Sequence, residues 1–184
     1  PLMLYTDKKG LDETGIKRKW GGCGYYRIVQ PAKFLGYDYR GDLWSHTIFD
    51  MVSQVEYLWK TYNMLIMERT DDQKWVAALL VSRDYFNTKI IVDMDDDFIN
   101  VPDDSPAKKS YYPGSPKTKA VEVLLTEADG LTVSTEKLVQ LYSQFNTNIE
   151  IFENRIDLDF WKGIENQKKN DGYIRIGWTG GLFP

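Results

Sequence analysis

Residues Lys89 to Asn100 read KIIVDMDDDFIN, an apolar run that ends in a cluster of acidic side chains. The apolar part, Ile90 to Val92, is β-branched and predicts a short strand buried on both faces. Four carboxylates follow within five residues, and no lysine or arginine lies between Asp93 and Asp104 to offset their repulsion. Ligands of open α/β sheets bind at the carboxyl ends of the strands. The stretch therefore predicts a buried strand that delivers acidic side chains to such an edge.

Apolar strands and amphipathic helices alternate on either side of this stretch. Strands are predicted over residues 2–6, 64–67, 89–92, 130–133, 148–152 and 173–177, and helices over residues 25–35, 50–62, 71–85, 117–128 and 134–142. This alternation predicts an α/β, Rossmann-like open parallel sheet with helices on both faces. Right-handed crossovers then place the carboxyl end of every strand at one edge. Five segments should gather there, namely residues 21–24, 68–69, 93–97, 134–136 and 153–154.

The composition limits the class of protein. The 184 residues are 42% hydrophobic and 27% charged, which suits a globular domain with a substantial core. A net charge of −4 argues against non-specific nucleic-acid binding. One cysteine, Cys23, and one histidine, His46, exclude an internal disulfide framework and the usual zinc sites. No apolar run approaches the roughly 18 residues of a membrane span, and a cytoplasmic location is predicted.

A glycine-rich segment, Gly21-Gly22-Cys23-Gly24, precedes the first predicted helix. Glycines at a helix start let the backbone approach a ligand and expose amide groups that favour an anion. The segment lacks the Gly-Lys-Ser/Thr ending of a phosphate loop, and it does not match the dinucleotide fingerprint. By itself it is a weak indication of an anion site.

The acidic stretch fits a haloacid-dehalogenase-like phosphatase formally. Asp93 would be the nucleophile and Asp95 the general acid, with Mg²⁺ between carboxylate and phosphate and Ser134 or Thr135 ending a later strand. Asp97 departs from that pattern, since a threonine or valine is expected there. The acidic motif of that class also belongs on the first strand, whereas two predicted strands precede it here.

Two further functions remain open. A metal-dependent single-domain glycosyltransferase would use Asp-x-Asp to hold Mn²⁺ against a nucleotide diphosphate, although the strand order and the glycine pair at 180–181 suit it less. The second alternative is a non-catalytic module that keeps the fold for binding or assembly.

Several motifs together resemble the group 1 (glycogen-synthase-like) glycosyltransferases of the two-domain GT-B fold. They are Gly22-Cys23-Gly24-Tyr25-Tyr26-Arg27, the acidic run at 92–97, Ala128-Asp129-Gly130 through Ser134-Thr135-Glu136, Glu153-Asn154-Arg155-Ile156-Asp157, and Ile174-Arg175-Ile176-Gly177-Trp178-Thr179-Gly180-Gly181. Their order spans nearly the whole chain. The resemblance implies that residues 1–165 form the N-terminal acceptor-binding Rossmann-like domain, one half of a GT-B fold. Residues 166–184 would form a linker and the first strand of a donor-binding domain.

The resemblance and the shared sheet edge predict the site residues. Acceptor or substrate contacts are expected from Gly22, Gly24, Arg27, Arg69, Asp95, Asp96, Asp97, Thr135 and Glu136. Donor-phosphate contacts are expected from Gly22, Cys23, Gly24, Thr179, Gly180 and Gly181. Asp93 is expected to hold the turn, and Arg69 to pair with Asp93 or Asp95. No catalytic residue is assigned, and no metal is predicted.

The implied activity is sugar transfer from a UDP- or GDP-linked nucleotide sugar, a co-substrate rather than a cofactor, to an acceptor that the sequence leaves open. The full-length parent would be a hexosyltransferase. This fragment is expected to be inactive alone, because the donor domain's glutamate pair and phosphate clamp would lie beyond Pro184. A lipid-linked acceptor would add peripheral membrane contact, and no nucleic-acid partner is expected.

Overall fold

A computed structural model describes residues 1–4, 22–41, 48–159, 162–163, 172–174 and 176–177 of the chain. The chain divides into two compact units, Pro1–Asn154 and Arg155–Pro184. The first unit carries every strand that the structure describes. The predicted domain boundary at residue 165 stays a prediction.

The first unit is built on a parallel sheet. Its described strands are β1 (Leu2–Leu4), β2 (Asp38–Arg40), β3 (Met64–Glu68), β4 (Lys89–Met94), β5 (Gly130–Val133) and β6 (Ile149–Ile151). They lie in the order β2-β1-β3-β4-β5-β6, and every neighbouring pair is parallel. The predicted open parallel sheet is therefore confirmed, with the acidic stretch on a central strand.

Helices connect the strands. They are a π-helical segment (Gly24–Val29) continued by α1 (Gln30–Leu35), then α2 (Ile48–Thr61), α3 (Gln73–Phe86), α4 (Pro116–Glu127) and α5 (Glu136–Tyr142). A short 3₁₀ turn (Pro106–Lys109) lies in the proline-rich segment between β4 and α4. Side-chain caps begin several helices. Asp72 and Thr135, for example, accept hydrogen bonds from backbone amides in the first turns of α3 and α5.

The strand order assigns the helices to the two faces. In the sheet, β2 lies on one side of β1, and every later strand is added on the other side of β1. Right-handed crossovers therefore put the π-helical segment and α1 on one face and α2 to α5 on the other. The position beside β1, where the direction reverses, is the topological switch point at which such sheets bind ligands.

Burial confirms this assignment. On the α1 face, Met3 packs with Ile28 and Ala32. On the other face, alternate residues of β4 (Ile90, Val92 and Met94) are 0% exposed and belong to the main core with residues of α2 to α5. Burying such a side chain contributes about 1.5–3 kcal/mol, so the stretch that carries the acids is anchored firmly in the core.

Three elements differ from the sequence predictions. The short edge strand β2 was not predicted. The glycine-rich segment is already helical at Gly22 and Cys23 rather than an open turn. In the second unit, Tyr173, Ile174, Ile176 and Gly177 are exposed and outside regular secondary structure, so the predicted strand at 173–177 is wrong for the described residues.

Candidate functional site

The parallel sheet brings several predicted site residues to one edge. The registers of β3, β4, β5 and β6 place Glu68, Asp93, Thr132 and Glu150 in one row across the sheet. The segments after these strands, which carry Arg69, Asp95–Asp97, Thr135–Glu136 and Asn154, leave from this edge. The sheet thus gathers residues separated by more than 80 positions in the chain.

Asp93 and Arg27 form a buried ion pair at the centre of this edge. Arg27 donates from Nε to Oδ2 of Asp93 at 2.8 Å and from Nη2 to Oδ1 at 2.5 Å. The Thr132 hydroxyl donates to Oδ1 at 2.6 Å. The side chains of Arg27 and Asp93 are 1% and 3% exposed. Burial raises the pKa of Asp93, while Arg27 and Thr132 act in the opposite direction. The fork-like geometry is that of a guanidinium holding an ionised carboxylate.

Arg27 also holds the chain that leaves β6. Its Nη1 donates to the backbone carbonyl of Phe152 and, at 3.2 Å, to Oδ1 of Asn154. Its guanidinium lies 5.0 Å from the centroid of the Phe152 ring. Arg27 was predicted to contact a substrate, but the structure buries it with protein acceptors on its donor groups. Arg27 therefore lies buried beneath the edge, where it holds Asp93 and the chain after β6.

Residues Gly22 to Gly24 of the glycine-rich segment belong to the helical stretch that carries Arg27. Gly22 is exposed, and a Cβ atom added there would meet nothing within 4 Å. Cys23 is half-buried, and Gly24, the first residue of the π-helical segment, is buried. A methyl group would therefore fit at Gly22 without a clash. The other predicted phosphate-binding residues, Thr179, Gly180 and Gly181, lie outside the described residues, as does His46.

The three acids after β4 have different environments. Asp97 caps a turn, because its Oδ1 accepts hydrogen bonds from the amides of Ile99 at 2.9 Å and Asn100 at 2.8 Å. The backbone carbonyl of Asp96 accepts a hydrogen bond from the Tyr142 hydroxyl. Asp96 itself is exposed, so its carboxylate lies at the surface. Partial burial and the charge of Asp95 raise the pKa of Asp96, and Arg69 lowers it.

These environments change two predictions. The turn is held by Asp97 and not by Asp93, whose carboxylate is used by Arg27 and Thr132. Asp97 was grouped with the acids that contact an acceptor, yet its Oδ1 and Oδ2 both accept local hydrogen bonds, the second from Asn100 at 3.2 Å. Asp95 and Asp96 remain the better candidates for such contacts.

Arg69 lies between the segments that follow β3 and β4. Its guanidinium stacks over the Phe98 ring, 3.5 Å from the centroid. Its backbone amide donates to the carbonyl of Asp93 at 3.3 Å. The carboxylate of Asp93 is held by Arg27 and Thr132, and the pairing of Arg69 with Asp93 or Asp95 stays a prediction. Stacking on Phe98 fixes a cation beside Asp96.

A second polar cluster supports Phe98 from the proline-rich segment. Tyr111 packs against Phe98 with ring centroids 5.3 Å apart, and its hydroxyl donates to Oδ2 of Asp71 at 2.5 Å. Lys117 forms an ion pair with the same carboxylate at 2.8 Å. Burial acts to raise the pKa of Asp71, but these hydrogen bonds outweigh it and hold the pKa below its usual range. The cluster ties three edge segments together.

At the end of β5, Thr135 caps α5, since its hydroxyl accepts a hydrogen bond from the Leu138 amide at 3.4 Å. Glu136 is exposed in the first turn of that helix. Ser134 donates to the carbonyl of Asp95 at 3.4 Å, which connects this loop to the acidic turn. Thr135 thus has a structural role, while Glu136 is open to a ligand.

Sequence reasoning missed the Arg27–Asp93 pair and the role of Tyr142. One signal for the first was available: Arg27 is a single charge within the aromatic and aliphatic run from Tyr25 to Val29. A charge in an apolar helical segment needs a buried partner. In the described part of the chain, no three His, Cys, Asp or Glu residues are arranged to hold a metal ion.

Comparison of the structure with solved proteins finds relatives in fold. The chain resembles Anabaena HepE, solved in complex with UDP-glucose, with a TM-score of 0.50 and 11% sequence identity over 87% of its length. The likeness is one of fold. The match covers 45% of the HepE chain, so this chain spans less than half of that protein. A structure of HepE with UDP and glucose gives a TM-score of 0.47 and 10% identity, with 87% of this chain and 46% of that chain covered.

No protein-family model and no curated protein sequence matches the chain. Among the described residues, no helix is both long and apolar enough to cross a membrane.

Proposed function

We propose that this chain supplies the acceptor-binding half of a two-domain glycosyltransferase that uses a nucleotide sugar. The observation that carries the proposal is the carboxyl edge itself, where a glycine-rich helix start and an acidic turn belong to the same open parallel sheet. The fold is shared with a protein solved with UDP-glucose. The group 1 assignment, the UDP or GDP donor and hexosyl transfer by the parent are parts of this proposal.

The chemistry divides between the two sides of the edge. Backbone amides at the helix start beside Gly22 favour the negative charge of a diphosphate, and the missing side chain lets it approach. Asp95 and Asp96 can accept hydrogen bonds from acceptor hydroxyls and orient one of them towards the anomeric carbon. A donor-binding half would complete the site, and this chain would not transfer sugar alone. The proposal requires no metal, since amides and basic side chains can neutralise the leaving diphosphate.

The phosphatase alternative meets a physical difficulty in the structure. A nucleophilic aspartate must reach the phosphorus atom, yet Asp93 is 3% exposed and its two oxygens accept hydrogen bonds from Arg27 and Thr132. Attack on a phosphate would first require this ion pair to open. The geometry therefore favours a supporting role for Asp93.

Titration with UDP-glucose, followed by amide NMR, tests the proposal on the full 184-residue chain with EDTA present. We expect chemical-shift changes at Gly22–Gly24 and at residues 95 and 96, with glucose alone shifting only the second group. Gly22→Val should weaken binding at least about tenfold, because side-chain atoms then occupy the approach to the amides. Ala77→Val, an exposed change on α3 at the other face of the sheet, is the matched control.

The absence of shifts at Gly22–Gly24 would overturn the proposal, as would equal binding by wild type and Gly22→Val. A binding response that appears only with Mn²⁺ would favour the metal-dependent transferases. Hydrolysis of a phosphomonoester with Mg²⁺, lost in Asp93→Asn, would favour the phosphatase. Each result assigns the edge to a different chemistry.

A further inference from the structure

One side chain, Arg27, joins three segments that lie far apart in the chain. It belongs to the π-helical segment that begins at Gly24, and it meets Asp93 at the end of β4, 66 residues away. It also meets Phe152 and Asn154, which follow β6 and lie 125 and 127 residues away. We call residues 152–154 the exit segment, because they end the first unit.

Arginine suits this position chemically. Its planar guanidinium carries five N–H donors in a fixed fork, so it can bind a carboxylate with two donors and still reach other acceptors. Nε and Nη2 hold Asp93, while Nη1 is shared by the Phe152 carbonyl and Asn154. Lysine would carry the charge on one nitrogen and could not span the three acceptors. The contacts therefore require the shape of the guanidinium as well as its charge.

The helix around Arg27 has an altered register. The amide of Gln30 donates to the carbonyl of Tyr25, five residues back, which is the hydrogen bond of a π-helix. Short π-helical stretches rotate the following side chains relative to an α-helix and often occur at functional sites. Here the π-helical register coincides with the residue that reaches Asp93.

The exit segment follows β6 at the surface of the first unit. The amide of Phe152 donates to the carbonyl of Val133 at 2.7 Å, and beyond it the chain is outside regular secondary structure. The Phe152 side chain is 39% exposed, and Glu153 and Asn154 are exposed as well. Segments of this kind belong to the least stable part of a fold. The contacts with Arg27 restrain the position of this segment.

We propose that Arg27 is a positioning residue that fixes the exit segment against the glycine-rich helix start, with Asp93 and Thr132 holding the guanidinium in place. The helix start and the exit segment then keep one geometry. The link to nucleotide-sugar binding rests on the proposed function, because only that proposal places the diphosphate at Gly22–Gly24. The mechanical coupling itself rests on the contacts alone.

Hydrogen exchange of the backbone amides tests this inference on the whole chain without ligand. In Arg27→Lys, we expect the amide exchange rate to rise at least about tenfold at residues 25–30 and at residues 152–154. Lysine cannot make all of the charge-assisted hydrogen bonds that the guanidinium makes, so both segments should open more often. Val121→Ala serves as the matched control. It removes two methyl groups of a fully buried side chain in α4, away from these contacts, and should raise the exchange rate without selecting these two segments.

A milder variant separates the two ends. Asn154→Leu, at an exposed position, removes one acceptor of Arg27 and leaves the pair with Asp93 in place. It should raise exchange at the exit segment and not at residues 25–30. Because it does not disturb the core, it keeps the test valid even when Arg27→Lys fails to fold.

Wild-type exchange at 152–154 in Asn154→Leu would overturn the inference. The inference would also be overturned if the exchange rates of the two segments rose no more in Arg27→Lys than in Val121→Ala, because that pattern means only general destabilisation. Titration with UDP-glucose distinguishes the two proposals. A wild-type chain that binds no UDP-glucose but shows the paired exchange response contradicts the proposed function and supports the positioning role.

Discussion

The hydroxyl of Thr132 donates a 2.6 Å hydrogen bond to Oδ1 of Asp93, and the two residues stand opposite each other in the register of β5 and β4. The same oxygen accepts a hydrogen bond from Arg27. A neutral donor on the neighbouring strand thus helps to hold a buried charge. The position of the Asp93 carboxylate therefore depends on the two hydrogen bonds that meet at this oxygen.

Thr132→Val removes that donor while nearly preserving side-chain volume. We expect a loss of about 1–3 kcal/mol in the free energy of unfolding, as for a hydrogen bond to a charged group. Urea unfolding followed by circular dichroism measures it. Thr132→Ser keeps a hydroxyl and should recover most of the loss, and a serine variant as unstable as the valine variant would assign the effect to packing.

The Arg27–Asp93 pair should behave as a unit. Arg27→Met leaves a buried carboxylate without its main partner and should cost about 3–5 kcal/mol. Arg27→Met combined with Asp93→Leu replaces both charges and should cost less than the sum of the single changes. Urea unfolding of the four proteins gives the coupling energy. Additive losses would mean that the two charges do not interact in solution.

The core and the central strand could be predicted from sequence because they depend on local patterns. The apolar run before Asp93 can only be buried, and alternating elements leave few topologies. The edge strand β2 could not be predicted in this way, because Asp38-Tyr39-Arg40 carries no apolar run. It forms through pairing with β1 after Gly36 ends α1 in the left-handed conformation, with φ of 69°.

The candidate site was predicted in outline and changed in detail. Strand ends indicate which loops meet, since parallel strands share one carboxyl edge. They do not indicate which charge pairs with which, because Arg27 and Asp93 are 66 residues apart and no local pattern links them. The predicted strand at 173–177 shows a second limit of local patterns. An apolar run alone does not form a strand, because a strand also needs a neighbour that supplies its hydrogen bonds.

Asp97 and Asp96 should respond differently to neutralisation. Asp97→Ala removes the cap on the amides of Ile99 and Asn100 and should lower the free energy of unfolding by about 1 kcal/mol. Asp96→Asn relieves repulsion from Asp95 and should leave stability unchanged or slightly higher at neutral pH. Thermal unfolding of both variants checks this difference. Equal losses would contradict the distinct environments of the two acids.

Two glycines provide a matched test of packing. A Cβ atom at Gly130 would lie 2.8 Å from Nδ2 of Asn148 and 3.3 Å from its carbonyl oxygen, so Gly130→Ala should cost about 1–3 kcal/mol. Gly22→Ala enters open space in a helical residue and should be neutral or stabilising by up to about 1 kcal/mol. Thermal and urea unfolding measure both. A destabilised Gly22→Ala would mean that the helix start is packed.

Tyr111 predicts a change in stability at alkaline pH. Burial, followed by the hydrogen bond to Asp71 and its negative charge, raises the pKa of Tyr111 to about 12 from 10.0. Because the folded pKa is the higher one, this contribution to stability is complete below pH 10 and is lost as the pH rises from 10 to about 12. Partial exposure should keep the slope below the ideal value of about 1.4 kcal/mol per pH unit. Urea unfolding across this range should show a steeper decline for wild type than for Tyr111→Phe. Tyr112→Phe removes the hydroxyl of an exposed neighbour and should follow wild type, whereas identical slopes for wild type and Tyr111→Phe would contradict the Asp71 contact.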